Sequence, residues 1–225
     1  MNTTQLDSIL SSLVKSNSTF STNAANRRSR STLNTALYLG VFSSDNIPIV
    51  HLSNQSKTVY FVLNSDPSTS PGTHWLACVK APGSVLEFFD SYGNPPSYYH
   101  FSFPAHLRIL QNDEPLQSIY SSVCGQYCIY FLYFRIFRRI SLHKISSQLR
   151  TSFKSRKLRD QYISNFVNIL SRKFTRGRGR LLSVISPGIR SQELDQNSSS
   201  PLIQSSQALD SLSHNFLDFS NAQTE

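Results

Sequence analysis

The 225-residue sequence predicts an α+β domain, and three observations predict it. Segments rich in β-branched and aromatic residues, bounded by turn-forming clusters, occupy the first half. Helical patterns follow in the second half. Between them lies an unbroken apolar run, Tyr127 to Phe134, as a helix buried on all sides requires. The chain is 39% hydrophobic and 12% aromatic, and its apolar residues concentrate between about Leu37 and Leu170. That is material for one domain of ordinary size plus tails.

Leu6, Ile9, Leu10, Leu13 and Val14 recur at helical spacing, so Gln5–Val14 reads as an amphipathic helix packing on the domain. Ser16–Leu33 is a polar linker carrying Arg27, Arg28 and Arg30. Leu37–Phe42 is apolar and ends in a Ser43–Asn46 turn. Thr58–Leu63 has strand composition, followed by a Ser/Pro loop. His74–Lys80 and Ser84–Asp90 form two further strands around an Ala81-Pro82-Gly83 turn, and Tyr92–Pro96 breaks the pattern. Tyr98–Ile109 holds a short strand or a turn of helix. Ser121–Arg139 is the central helix, with Ser121 or Ser122 as its cap and Arg135, Arg138 and Arg139 in its last turns, where cations suit the dipole. Leu142–Phe153 and Leu158–Leu170 are helical. Arg176-Gly-Arg-Gly-Arg180 and a Ser/Gln/Asn tail from Ser191 follow, and that tail is expected to be disordered. The predicted organisation is 1–35, N-terminal helix and linker; 36–173, globular domain; 174–225, basic then disordered tail.

The net charge is +9. From Arg135 to Arg190 there are fifteen Lys or Arg and one acid, Asp160. Such a field attracts polyanions, nucleic acid first, with Arg135, Arg138, Arg139, Lys154, Arg156 and Lys157 as candidate contacts. A solvated helix face is the other reading. Three cysteines, Cys78, Cys124 and Cys128, form no paired framework, which argues against a disulfide-stapled secreted domain. No signal peptide is legible at the N-terminus, and no apolar run could span a bilayer. A soluble, intracellular, monomeric protein in a reducing compartment is expected, with no membrane partner, no metal and no cofactor.

Cys124 opens the buried helix, where unpaired N–H groups and the positive dipole end favour a thiolate. Gly125 beside it lets a substrate backbone approach. Cys128, mid-helix, suits the core. His74 and Trp75 stand at the head of a strand, so the imidazole can reach a cleft from fixed backbone. Asp90 ends the next strand. A three- or five-residue connection between the two strands places His74 and Asp90 on one face; a four-residue connection sets Trp75 opposite Asp90 instead. A carboxylate near a histidine orients and stabilises an imidazolium. Gln117, seven residues before Cys124, offers an amide donor to a developing oxyanion. Alone, each has an ordinary explanation: a surface histidine, a turn aspartate, a loop glutamine, a core tryptophan.

Together, His74-Trp75, Phe89-Asp90-Ser91-Tyr92-Gly93, and Gln117 with Cys124-Gly125 resemble the adenovirus protease and the wider group that includes the ubiquitin-like-protein proteases. The runs Asn64–Pro67, Pro71–Trp75 and Cys124–Leu132 resemble more closely the adenovirus-type protease of Maverick/Polinton transposons and related virus-like elements. The resemblance covers roughly Leu39 to Leu170. It implies a papain-like cysteine protease of the adenain type: an α+β fold with a central mixed sheet of few strands packed on a buried helix that starts at the nucleophile. It implies a Cys124–His74–Asp90 triad, an oxyanion hole from the Cys124 N–H and Gln117, and a narrow cleft walled by Trp75 that favours small residues, often glycine, before the cut. The implied substrates are capsid and core precursors, in the host nucleus or cytoplasm or inside virion-like particles. DNA is an implied activator. A disulfide-tethered activator peptide is not expected, because the tether position falls near His106 and no cysteine lies between Cys78 and Cys124. The competing readings are a protease for ubiquitin-like modifiers and a catalytically inactive nucleic-acid-binding relative.

Overall fold

The computed structural model describes residues 1–22, 36–52 and 56–179. The Arg27, Arg28 and Arg30 stretch and the tail from Ser191 lie outside them. The described residues of Met1–Gly177 belong to one compact unit.

The fold is α+β, built on a mixed five-stranded sheet in the order β1-β2-β3-β4-β5: β1 (Leu37–Phe42), β2 (Val59–Asn64), β3 (Trp75–Lys80), β4 (Leu86–Phe89) and β5 (Ile109–Gln111). The central strands β2, β3 and β4 are antiparallel, while β1 and β5 join the edges in parallel to β2 and β4. Every residue of β2, β3 and β4 is buried, because both faces of the sheet are covered. Such strands show continuous apolar runs rather than alternation. One face carries Val59, Phe61, Leu63, Leu76, Cys78, Leu86 and Phe88, closed over by Leu52 and Phe101 from the long connections. A bulge interrupts β1 between Tyr38 and Val41, with Gly40 at φ 118°, where an L side chain is strained.

The other face packs on α2 (Cys124–Leu132), whose residues are buried except Gln126. Phe131 stacks flat on Phe89 at a centroid distance of 4.6 Å. On the same side, Glu87 accepts two hydrogen bonds from Arg135, 2.6 Å from Nε and 2.7 Å from Nη2. Helix α1 (Thr3–Thr22) begins with a reciprocal cap: the Asn2 side chain accepts from the Gln5 N–H at 2.9 Å, and Gln5 accepts from the Asn2 N–H at 3.1 Å. It packs against β1 and α2 through Leu6, Leu10 and Leu13, and Tyr38 donates to Asp7 at 2.9 Å.

The central helix is shorter than the Ser121–Arg139 the sequence predicts. Ser121 is held in a turn, its hydroxyl donating to Ser118 O at 3.0 Å and its carbonyl accepting from Gln117 Nε2 at 2.7 Å. Neither Ser121 nor Ser122 caps the helix; Val123 stands at the N-cap with no side-chain bond. Beyond Leu132 the helix widens into a π turn, Tyr133–Phe137. It ends where Arg139 turns left-handed, φ 57°, and the Ile140 N–H reaches back to Phe134 O at 3.1 Å. Helix α3 (Leu142–Ser152) is capped by Ser141, and α4 (Arg156–Gly179) runs past the Leu170 end read from the sequence. The Tyr98–Ile109 region supplies both alternatives in part: a 3₁₀ turn at Pro96–Tyr99, and β5 beginning at Ile109.

Candidate active site

His74 stands one residue before β3, with its backbone fixed by the Ser65 N–H bond to His74 O at 2.9 Å. Asp90 stands one residue after β4. The β3–β4 connection is Ala81–Val85, with Lys80 opposite Leu86 and Ala77 opposite Phe89. This is the five-residue alternative. Continued by one pair, it sets Asp90 opposite Leu76, on the same side of the strands as His74. The outcome is a bond of 2.7 Å between His74 Nε2 and Asp90 Oδ1, with Asp90 fully buried and His74 8% exposed.

The chain just beyond β4 folds around the Asp90 carboxylate. Oδ1 also accepts from the Tyr92 N–H at 3.0 Å, and Oδ2 accepts from the Asn94 N–H at 2.8 Å and the Tyr99 hydroxyl at 2.8 Å. Asn112 clamps the Asp90 backbone, accepting from its N–H at 2.9 Å and donating to its carbonyl at 2.6 Å. A buried carboxylate with this many donors is held in one orientation. The turn closes at Gly93, φ 76°, where a Cβ would stand 2.6 Å from the Glu114 carbonyl carbon. Only glycine fits there. The imidazole stacks against Tyr92 and Tyr99, with centroids at 4.8 and 5.6 Å.

Cys124 is the first residue of α2 and 3% exposed. Burial alone drives its thiol upward, but His74 and the backbone N–H groups of Trp75 and Gly125 outweigh burial and hold it below its ordinary value. Burial likewise works against an imidazolium at His74, yet Asp90 and Cys124 raise its pKa to about 9. Each group thus shifts toward its charged form, the thiol downward and the imidazole upward. Nδ1 of His74 has no hydrogen bond of regular geometry, while the Cys124 thiol lies within electrostatic reach of the ring. The other two thiols behave oppositely: burial pushes both Cys78 and Cys128 up, as core cysteines.

Gln117 is fully buried. Its Oε1 accepts from the Ser91 hydroxyl at 2.7 Å, and its Nε2 donates to Ser121 O at 2.7 Å and to the Tyr92 hydroxyl at 3.2 Å. Tyr92 in turn donates to Ser121 O at 3.3 Å. Trp75 is 8% exposed, and its indole N–H is buried without a partner. Gly125 is buried, and a Cβ there would stand 3.3 Å from the Met1 sulfur.

The candidate nucleic-acid contacts differ in exposure. Arg139, Lys154, Arg156 and Lys157 are exposed, Arg138 is half-buried, and Arg135 is committed to Glu87. Among the described residues, no group of three or more His, Cys, Asp and Glu could hold a metal ion, and no helix is long and apolar enough to cross a membrane. Tyr92, Tyr99, Asn112, Ser91 and Asn94 belong to the site without having been singled out from the sequence. Ser91 and Tyr92 sit inside the Phe89–Gly93 motif and could have been read from it. Tyr99 and Asn112 carry no local signal.

No protein-family model matches the chain. It is similar to the protease of Bovine adenovirus C serotype 10, 28% identical over 97 residues that cover 36% of this chain and 50% of the relative. It is similar also to the protease of Bovine adenovirus 7, 27% identical over 97 residues that cover 36% of this chain and 48% of the relative. The chain thus spans about half the length of the curated relatives it matches.

Proposed function

We propose that a chain similar to the adenovirus proteases, with a lowered thiol opening a buried helix against a carboxylate-bound histidine, is a cysteine endopeptidase with a papain-like mechanism. The observation that carries this reading is the Cys124–His74–Asp90 arrangement, anchored by the 2.7 Å bond between His74 Nε2 and Asp90.

In this mechanism the Cys124 thiolate attacks the scissile carbonyl carbon, and the π electrons move onto the carbonyl oxygen. The Cys124 N–H and Gln117 Nε2 donate to that oxyanion. Both Nε2 donors are engaged at rest, and the 3.2 Å bond to the Tyr92 hydroxyl is the weaker. We assign that N–H to the oxyanion once substrate binds. As the tetrahedral species collapses, the C–N bond breaks and the leaving amine takes the imidazolium proton. Neutral His74 then draws a proton from water, which attacks the thioester and releases the thiolate. Asp90 orients the ring and stabilises its cationic form throughout.

The proposed substrates are capsid and core precursors of a virus-like element, cut after small residues. This follows from the Maverick/Polinton resemblance of Asn64–Pro67, Pro71–Trp75 and Cys124–Leu132. We propose that the chain acts as a monomer inside the host cell. DNA contact through Arg139, Lys154, Arg156 and Lys157 is supported by their exposure and sign.

Co-expression with the element's capsid precursor, followed by mapping of cut sites, tests the reading. Wild type is expected to cut and Cys124→Ala to leave the precursor whole. A thiol-reactive probe should label Cys124 far faster than Cys78 or Cys128. Equal labelling of wild type and Cys124→Ala, with no cleavage, would remove the enzyme reading.

A further inference from the structure

Two buried charges outside the triad lie at the start of α4. Arg159 is 4% and Asp160 6% exposed. Burying charge is unfavourable unless its hydrogen-bonding capacity is used. Arg159 spends its guanidinium on three backbone carbonyls: Nε on Leu149 O at 3.0 Å, Nη2 on Phe153 O at 2.7 Å and Nη1 on Leu116 O at 2.8 Å. The first two belong to the C-terminal end of α3, where helix carbonyls lack intrahelical partners. The third belongs to the residue before Gln117.

Asp160 holds the residue after Gln117. The Ser118 N–H points at its carboxylate, 3.2 Å from Oδ2 and 3.4 Å from Oδ1. The Tyr127 hydroxyl lies 2.9 Å from Asp160 Oδ1 and 3.2 Å from Leu116 O. Tyr127 is three residues after Cys124 on α2, about one helical turn on. From the opposite side, Ser91 O accepts the N–H groups of Leu116 and Gln117 at 2.8 and 2.9 Å. The peptide groups on both sides of Gln117 are therefore held, the upstream carbonyl by a cation and the downstream N–H by an anion. Tyr127 joins the same network to the helix that carries the nucleophile.

We propose that Arg159, Asp160 and Tyr127 are positioning residues that set the direction of the Gln117 amide relative to Cys124, so that the start of α4 controls the oxyanion hole. The proposal rests on the reading of Gln117 as an oxyanion donor. None of the three touches the reacting atoms. They act through the backbone of residues 116–118.

A double-mutant cycle on the full chain tests it. Asp160→Ala and Tyr127→Phe are each made alone and in a Gln117→Ala background, and kcat, KM and the rate of Cys124 alkylation by iodoacetamide are measured. Alkylation forms no oxyanion, so it reports the thiolate alone. Asp160→Ala is expected to lower kcat about tenfold or more, within the ceiling of about 10²–10³ for outright loss of an oxyanion donor. KM and the alkylation rate should stay within about twofold of wild type, and in the Gln117→Ala background kcat should fall no further. An equal loss in both backgrounds, an unchanged kcat, or a parallel fall in alkylation overturns the proposal. If Asp160→Ala does not fold, Asp160→Asn, which keeps the volume and one acceptor oxygen, carries the same cycle. Absence of turnover in wild type sinks the peptidase reading itself, whereas a failed cycle in an active enzyme sinks only the positioning role.

Discussion

At the scale of single residues, the site depends on one buried carboxylate. Asp90 and the thiol of Cys124 raise the His74 pKa to about 9 against burial, and the thiol of Cys124 is correspondingly lowered. The signs set the pH profile. If the proposed mechanism holds, activity should rise on the acid side as the thiol loses its proton, below the ordinary thiol range. It should fall on the alkaline side as the imidazolium loses its proton at about 9. Because the two groups are coupled, both limbs belong to the pair. In Asp90→Asn, burial is no longer opposed by the carboxylate, so the alkaline limb should move down and kcat should fall by at least about 10². A pH–rate profile measures both, and an unmoved limb would show that Asp90 is not what keeps His74 charged. Gly93 serves the same carboxylate by closing the turn at φ 76° against the Glu114 backbone. Gly93→Ala should lose about 1–3 kcal/mol in chemical denaturation. A neutral result would mean that the turn yields freely.

At the scale of elements, the nucleophile helix is positioned by packing rather than by a cap. Val123 offers no capping side chain, so the start of α2 is left to the sheet beneath and to the Gln117 segment beside it. Phe131, stacked on Phe89 and fully buried, is the clearest contact holding α2 to the sheet. Phe131→Ala should reduce unfolding free energy by about 3–5 kcal/mol. Equilibrium denaturation monitored by the single tryptophan, Trp75 on β3, reads it out. A loss no larger than a surface substitution would mean that α2 is held elsewhere. The Arg135–Glu87 pair adds a charged contact to the same side of the sheet. That engagement removes one cation from those the sequence offered to nucleic acid.

At the scale of the whole molecule, charge is the property that reaches furthest. The chain carries +9, and Arg139, Lys154, Arg156 and Lys157 are exposed. If they contact phosphates as proposed, the logarithm of DNA affinity should fall linearly with the logarithm of salt, by about 0.9 for each phosphate neutralised. Replacing each cation by serine should flatten that slope by about 1. A salt titration in which the slope is shallow, or unchanged by the substitutions, removes nucleic acid from the list of partners.

Much of the architecture was legible because it is written locally. The three central strands and α3 carry continuous composition signals, Cys124-Gly125 marks the head of an apolar run, and His74, Asp90, Gln117 and Cys124 stand in an order that invited one chemical reading. The edge strands were less legible: β1 read only as an apolar run, and β5 only as one of two alternatives. β1 and β5 pair in parallel, so their partners lie across long connections, and β5 is three residues with two exposed. The start of α2 shifted because Gln117 captures the Ser121 carbonyl, a contact between side chain and turn that no cap rule contains. Tyr99, Asn112, Arg159 and Asp160 showed no motif, since each acts on atoms brought near only by folding. Residue types and their order determined which chemistry was possible. The β3–β4 register, the turn at Gly93 and the buried charges of α4 decided where its groups point, because distances of 2.7–3.2 Å between segments far apart in sequence exist only once both faces of the sheet are packed.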